Sequence, residues 1–277
     1  MELKKCIFTH SGCYLWGEEM TNSKPVGIVV HSTGANNKNL KRYVQPIKGD
    51  PNYNEVIADI GKNAYGNHWN KESKKACVHA FIGVNASGEV ETYQVLPWDY
   101  CCWGVGKGSK GSFNYNPTAH IQFEICEDNL KDEAYFNSVM REAQELCAYL
   151  CKEYGLTESH ICSHAEAYKI GYGTNHGDCD HWLKKFGKDM KWFRGEVEKI
   201  LNGENKHEEP FKPYKVKVTA SVLNIRKGAG TNFKSVGSIK DGGVYTIVAE
   251  SYGEGATKWG KLKSGAGWIA LDYCKKL

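Results

Sequence analysis

Of the ten histidines and eleven cysteines in this 277-residue chain, a small set stands where side chains could do chemistry together. His31 ends the apolar run Pro25-Val-Gly-Ile-Val-Val-His31, and His164 follows the short run Ser159-His-Ile-Cys-Ser163. Ligands of open α/β sheets collect at the carboxyl ends of strands, so histidines placed in this way can converge. A third group is offered by Asn175-His-Gly-Asp-Cys-Asp-His-Trp182, just ahead of a helical pattern. Two imidazoles with one carboxylate or thiolate make the donor set of a catalytic zinc, with the fourth position open. Spacing alone balances this against a plainer alternative: two structural histidines and a helix N-cap at Asp178 or Asp180.

A strand carboxylate, Glu124, reads from pattern alone as a solvated glutamate paired with a lysine. In His120–Cys126, Ile121, Phe123 and Ile125 alternate with Gln122, Glu124 and Cys126. The alternation sends the apolar residues to a core and predicts Glu124 on the opposite, accessible face. His79, inside the apolar Val78–Val84, reads as a core histidine, and His120 and His160 read as structural. Lys107-Gly-Ser-Lys-Gly-Ser112 lacks the spacing of a phosphate-binding loop and is expected to be a surface or substrate-side loop.

The elements that must position these residues show in the apolar periodicity. Pro25–His31 and Val78–Val84 are of buried-strand type, and Asn85-Ala-Ser-Gly88 followed by Glu89–Leu96 predicts a hairpin. Val139, Ala143, Leu146, Cys147, Leu150, Cys151 and Tyr154 form a helical stripe closed by Gly155. Trp182, Phe186, Met190, Phe193, Val197 and Ile200 predict one helix over 181–201. Strands mixed with helices across 1–201 argue for an α/β layer structure. Residues 202–212 are polar, with a glycine and a proline, and read as a linker. Residues 213–277 then carry six short strand patterns between Gly-, Asn- and Asp-containing turns, which predict a small all-β barrel.

Composition narrows the functional classes. Apolar residues make up 41% of the chain, too many for a disordered tail, and there is no apolar run long enough for an integral membrane segment. Residues 1–20 are interrupted by polar and charged groups, so no signal peptide is expected. The cysteines lack the dense spacing of a secreted disulfide scaffold and are expected to be thiols made in a reducing cytosol, with the adjacent pair Cys101–Cys102 left open. Residues 213–277 hold eleven basic and four acidic residues, against 23 and 25 in residues 1–201. Such asymmetry suggests a basic module meeting an anionic surface, and argues against a uniformly basic nucleic-acid binder.

Ile28-Val-Val-His-Ser-Thr33, His120-Ile-Gln-Phe-Glu-Ile-Cys-Glu127, Cys162-Ser-His-Ala-Glu166 and Asn175-His-Gly-Asp178 occur in this order. Together they resemble the type-2 N-acetylmuramoyl-L-alanine amidases, a group that includes many phage endolysins and is related to animal peptidoglycan recognition proteins. The resemblance covers roughly residues 20–200. It implies a mixed central sheet flanked by helices, a Zn2+ cofactor and bacterial cell-wall peptidoglycan as the substrate. By it, His31 and His164 match two zinc ligands and Asp178 best matches the third. Glu124 matches the catalytic acid, and His176 the residue that stabilises the oxyanion. The sequence departs from the family where Asp-Cys-Asp replaces Cys-Pro-Gly, which leaves Cys179 and His181 as rival donors, and where Gly104 instead of His follows Trp103. Within 213–277, Val222–Phe233 and Gly267–Tyr273 resemble the bacterial SH3-like domain, in which Trp259, Trp268 and Tyr273 would either line a shallow groove or fill the core. The implied protein has three parts: a zinc amidase domain (1–201), a linker (202–212) and an SH3-like cell-wall-binding domain (213–277). It would be a phage or prophage endolysin, synthesised in the cytoplasm and acting on the wall after release. The rival classes are a catalytically silent peptidoglycan-binding protein and a Cys-His wall peptidase.

Overall fold

Residues 3–204, 211 and 213–277 are described by the computed structural model, and they separate into two units, Met1–Asn205 and Lys206–Leu277. The first unit runs through β1 (Leu3–Lys5), α1 (Gly12–Trp16), β2 (Ile28–Ser32), α2 (Tyr53–Ile60), β3 (Ala80–Val84) and β4 (Val90–Gln94). It continues with β5 (Ile121–Ile125), α3 (Glu133–Tyr154), β6 (Ile161–Ser163), α4 (His164–Ile170), α5 (Asp180–Lys185) and α6 (Met190–Leu201). Its mixed sheet has the order β1-β4-β3-β5-β2-β6. The β3–β4 hairpin is antiparallel, and β5 pairs in parallel with both β3 and β2.

The sheet's two faces differ in chemistry because side chains alternate along each strand. One face carries Ile28, Val30, Ile82, Ile121, Phe123 and Ile125 into a core closed by α3, α5 and α6. The opposite face carries His31, Gln122 and Glu124, since His31 stands in register with Glu124 on the neighbouring strand. To one side of them Phe81, Tyr43 and Val44 form an apolar cluster, and to the other Val29, Val105, Phe113 and Ala167 form another. Polar groups therefore sit on a face that is itself covered.

The long helix α3 is delimited as its sequence suggests. Asp132 accepts a hydrogen bond from the Tyr135 amide at its start, and Gly155 takes the left-handed conformation at its end. Its stripe from Val139 to Cys151 is buried, with Tyr154 partly buried beside it. The single helix expected over 181–201 is instead two. Gly187 adopts φ +66°, and Lys188 donates back to the Leu183 carbonyl, which closes α5. Asp189 then caps α6 by accepting from the Trp192 amide at 2.7 Å. Trp182, Met190, Phe193 and Val197 still reach one core, so the periodicity was right about burial while the break preserved it.

Cys13 and Cys77 form a disulfide, which corrects the expectation that these two cysteines are thiols. The two residues lie 64 positions apart and are joined by packing with Leu96 and Cys102, a long-range encounter that cysteine spacing does not encode. Cys101 and Cys102 are free, buried thiols. No helix among the described residues is long and apolar enough to cross a membrane.

The second unit is an antiparallel sheet of β7 (Tyr214–Val218), β8 (Leu223–Arg226), β9 (Ser235–Ile239), β10 (Val244–Gly253), β11 (Ala256–Leu262), β12 (Trp268–Ala270) and β13 (Cys274–Lys276), in the order β13-β7-β10-β11-β12-β8-β9. Trp259 is 2% exposed, packed with Val216, Ile247 and Ile269. It is a core residue, which decides between the two alternatives the sequence left open for it. Trp268 packs half-buried against the same core, and Tyr273 is exposed. The linker expected at 202–212 lies mostly outside the described residues, since 205–210 and 212 are not among them.

Candidate metal centre

His31 occupies the last turn of pleat in β2, a central strand between β5 and β6, and is buried. His164 opens α4, and the motif around it explains why. Ser163 accepts from the Glu166 amide at 3.1 Å and Glu166 accepts from the Ser163 amide at 3.2 Å, a reciprocal cap at Ser163 that starts the helix at His164. Arg194 of α6 holds the same Glu166 carboxylate through two bonds of 2.7 and 3.0 Å. Asp178 comes from the loop ahead of α5. Neither it nor Asp180 caps that helix, because the cap position is Cys179.

These three residues meet. One ligand atom from each of His31, His164 and Asp178 lies within 4.8 Å of the others, the one such cluster among the described residues. His31 Nδ1 is 3.0 Å from Asp178 Oδ2, His164 Nδ1 is 3.4 Å from Asp178 Oδ1, and the two Nδ1 atoms are 3.1 Å apart.

The outer nitrogens decide what those inner atoms offer. His31 Nε2 lies 3.0 Å from Gln122 Oε1. Gln122 must present its oxygen there, because its amide nitrogen donates to Asn114 Oδ1, which also accepts from the Val105 amide. His164 Nε2 lies 3.2 Å from Thr174 Oγ1, whose own hydrogen goes to the Val105 carbonyl. Both imidazoles therefore donate outward from Nε2 and direct bare Nδ1 lone pairs inward. Two lone pairs and a carboxylate facing one another repel unless a cation sits between them. The donor set thus fits a divalent metal of borderline softness such as zinc. Burial raises the Asp178 carboxyl, but the hydrogen bonds with His164 and His31 outweigh it and hold the group well below the usual carboxylate range.

Glu124 stands beside His31 and is only 9% exposed, a correction to the accessible position expected from strand alternation. Alternation chose the face correctly, but apolar clusters flank it on both sides and leave Glu124 buried. Its Oε2 has no hydrogen-bond partner. Burial first, then the charges of Asp178 and Glu127, push its carboxyl well above the ordinary range. A buried carboxyl with one oxygen unpaired, next to a cluster that could hold a metal ion, is suited to taking and returning a proton. His176 is exposed, its ring 4.7 Å from that of His164 and its Nδ1 3.1 Å from Thr174 Oγ1.

A model of the N-acetylmuramoyl-L-alanine amidase family matches residues 21–180, a span that contains all five of these residues. The chain belongs to the type-2 N-acetylmuramoyl-L-alanine amidase family. Among solved structures it is similar to the Staphylococcus aureus hydrolase AmiA in complex with its ligand, at 21% identity over 74% of this chain and 87% of that one, with a TM-score of 0.47. It is also similar to a mutant endolysin from Bacillus subtilis, at 18% identity over 71% and 99%, with a TM-score of 0.47. The catalytic domain of XlyA is similar at 19% identity over 71% and 99%, with a TM-score of 0.45. No curated protein matches the chain.

In this family member the Asp-Cys-Asp variation separates the three rival donors. Cys179 is fully buried with its sulfur 4.0 Å from Met190 Sδ, away from the histidines. His181 turns to Glu127 at 3.0 Å and to the Gly177 carbonyl at 3.2 Å. The hydrogen bond to Glu127, opposed by burial, raises its pKa. Asp178 alone of the three joins the histidine pair. Sequence reasoning passed over Gln122, Asn114 and Thr174. Gln122 had a readable signal, since it lies two residues before Glu124 and shares its face. Ser163 and Glu166 had another, the Ser-x-x-Glu capping pattern. Asn114 and Thr174 lie in loops and carried none. His79 is, as expected, a core residue, bonded to the Tyr100 carbonyl and the Gln122 amide.

Proposed function

We propose that this protein hydrolyses the amide bond between the lactyl group of N-acetylmuramic acid and L-alanine of the peptidoglycan stem peptide. The observation that carries the reading is the convergence of His31, His164 and Asp178 beside the unpartnered buried carboxyl of Glu124, in a chain of this family. A zinc ion held by those three residues supplies Lewis acidity toward the scissile carbonyl and toward water. Gln122 and Thr174 keep the imidazoles in the ligand tautomer. Glu124 accepts the proton lost by attacking water and returns it to the departing amine of L-alanine. Its covered position excludes bulk solvent from that transfer. His176, exposed and held at Nδ1 by Thr174, donates to the developing oxyanion, a contact worth ~3 kcal/mol in comparable sites.

The second unit is, in this reading, an SH3-like module that retains the enzyme on the cell wall. Its strand content, its excess of basic residues and an open groove of about 670 Å³ flanked by Lys227 and Lys234 support that role. The combination suits a phage or prophage endolysin that reaches the wall after release from the cytoplasm.

Purified wall incubated with the protein, with and without a zinc chelator, tests the reaction. The expected result is chelator-sensitive release of L-alanine amino ends without new reducing sugars. New reducing ends would identify a glycosidase. Wall binding with no new ends and no zinc in the purified protein would identify a silent receptor, and thiol-reagent sensitivity without chelator sensitivity a cysteine peptidase.

A further inference from the structure

The two metal-side histidines come from distant parts of the chain, yet their outer hydrogen bonds lead to one residue. Val105 is fully buried, and its amide donates to Asn114 Oδ1 at 3.0 Å. Asn114 Oδ1 receives Gln122 Nε2 at 3.0 Å, and Gln122 Oε1 receives His31. The carbonyl of Val105 accepts the Thr174 amide at 2.9 Å and the Thr174 hydroxyl at 3.1 Å, and Thr174 receives His164. A single backbone unit therefore anchors the acceptors of both imidazoles.

The residues on either side of Val105 are glycines for a reason visible at those acceptors. A Cβ on Gly104 would lie 2.4 Å from Gln122 Oε1, the atom that holds His31. A Cβ on Gly106 would lie 2.7 Å from Thr174 Cγ2 and 2.9 Å from Thr174 Oγ1, the atom that holds His164, and Gly106 has φ +70° besides. Each glycine makes room for one acceptor. Gly104 is also the position at which this sequence departs from the Trp-His of many family members.

We propose that Gly104-Val105-Gly106 is a positioning segment that sets both imidazoles for the metal, through Gln122 on one side and Thr174 on the other. The inference rests on the zinc reading above. These residues do not touch the metal; they act through His31 and His164 by fixing tautomer and ring direction, and outer acceptors of this kind typically change metal affinity 10–100-fold when lost.

The test measures zinc affinity of the full chain by chelator competition, with the Co2+ absorption spectrum as a report on coordination and a metal-free melt as a control for folding. Gly104→Ala should weaken zinc by roughly 10–100-fold, as should Gln122→Ala. The double variant should bind no more weakly than Gln122→Ala alone, because the clash disappears with the side chain. Thr174→Val, which keeps shape and loses the hydroxyl, should weaken zinc comparably and alter the Co2+ spectrum. Thr174→Ser should restore both, and this pair decides the matter if Gly104→Ala does not fold. Wild-type affinity in Gly104→Ala and Thr174→Val would overturn the proposal while leaving the zinc reading intact. An equal Gly104→Ala loss in the Gln122→Ala background would overturn it too, by showing that the glycine acts through the fold. No zinc bound by the wild-type chain would sink the zinc reading itself and this inference with it.

Discussion

Glu124 carries the proton transfer in the proposed reaction, and Glu124→Gln keeps its size while removing the proton acceptor. The variant is expected to fold, bind zinc and bind wall normally, with turnover on soluble muropeptides reduced by roughly 10²–10⁴-fold. Loss of zinc would instead make Glu124 a ligand. The same substitution has a signature in the metal-free protein. Burial, with the charges of Asp178 and Glu127, raises the folded-state pKa of Glu124 well above its ordinary value of 4.5. Between those two values the folded chain holds a proton that the unfolded chain has released, so this group's contribution is most favourable below about pH 4.5 and is lost as pH rises. Metal-free Glu124→Gln should therefore be more stable than metal-free wild type at neutral pH, and the two should converge below about pH 4. Thermal melts across pH measure this, and parallel curves would refute it.

At the level of elements, the catalytic face depends on how α4 begins. The Ser163–Glu166 cap places His164 in the first turn, and Arg194 ties that turn to α6. Ser163→Ala should cost about 1 kcal/mol, the usual loss for such a cap. In a unit of this size that lowers Tm by about 2–4 °C. It should also weaken zinc binding, because the turn that presents His164 frays. Ser163→Thr retains a cap oxygen and should recover most of both effects. An unchanged zinc affinity in a destabilised Ser163→Ala would show that the cap serves the fold alone. The α5–α6 break makes a related point: a 3.6-residue apolar period reports which residues are buried, whereas Gly187 and the Asp189 cap determine where the helix stops.

Across the whole molecule, chemistry and retention on the wall are assigned to different units. A chain ending at Gly203 should keep turnover on soluble muropeptides and lose most lysis of intact wall; loss of soluble activity would refute the division. Replacing Lys227 and Lys234 by Gln in the full chain should weaken wall retention most at low salt, since exposed charges are screened over ~8–10 Å at physiological ionic strength. The sequence alone determined the α/β class, β2, the β3–β4 hairpin, β5, α3, the six strands recognised in the second unit and the residues offered as ligands. Those features depend on local patterns, in which two-residue and 3.6-residue periods select a buried face and motifs name side chains. The tertiary structure placed Asp178, and neither Cys179 nor His181, beside the histidine pair, covered Glu124, joined Cys13 to Cys77 and brought Gln122, Asn114 and Thr174 behind the histidines. Each of these is an encounter between distant segments, selected by the need to pair buried polar groups and fill space, and no local period records who the partner is.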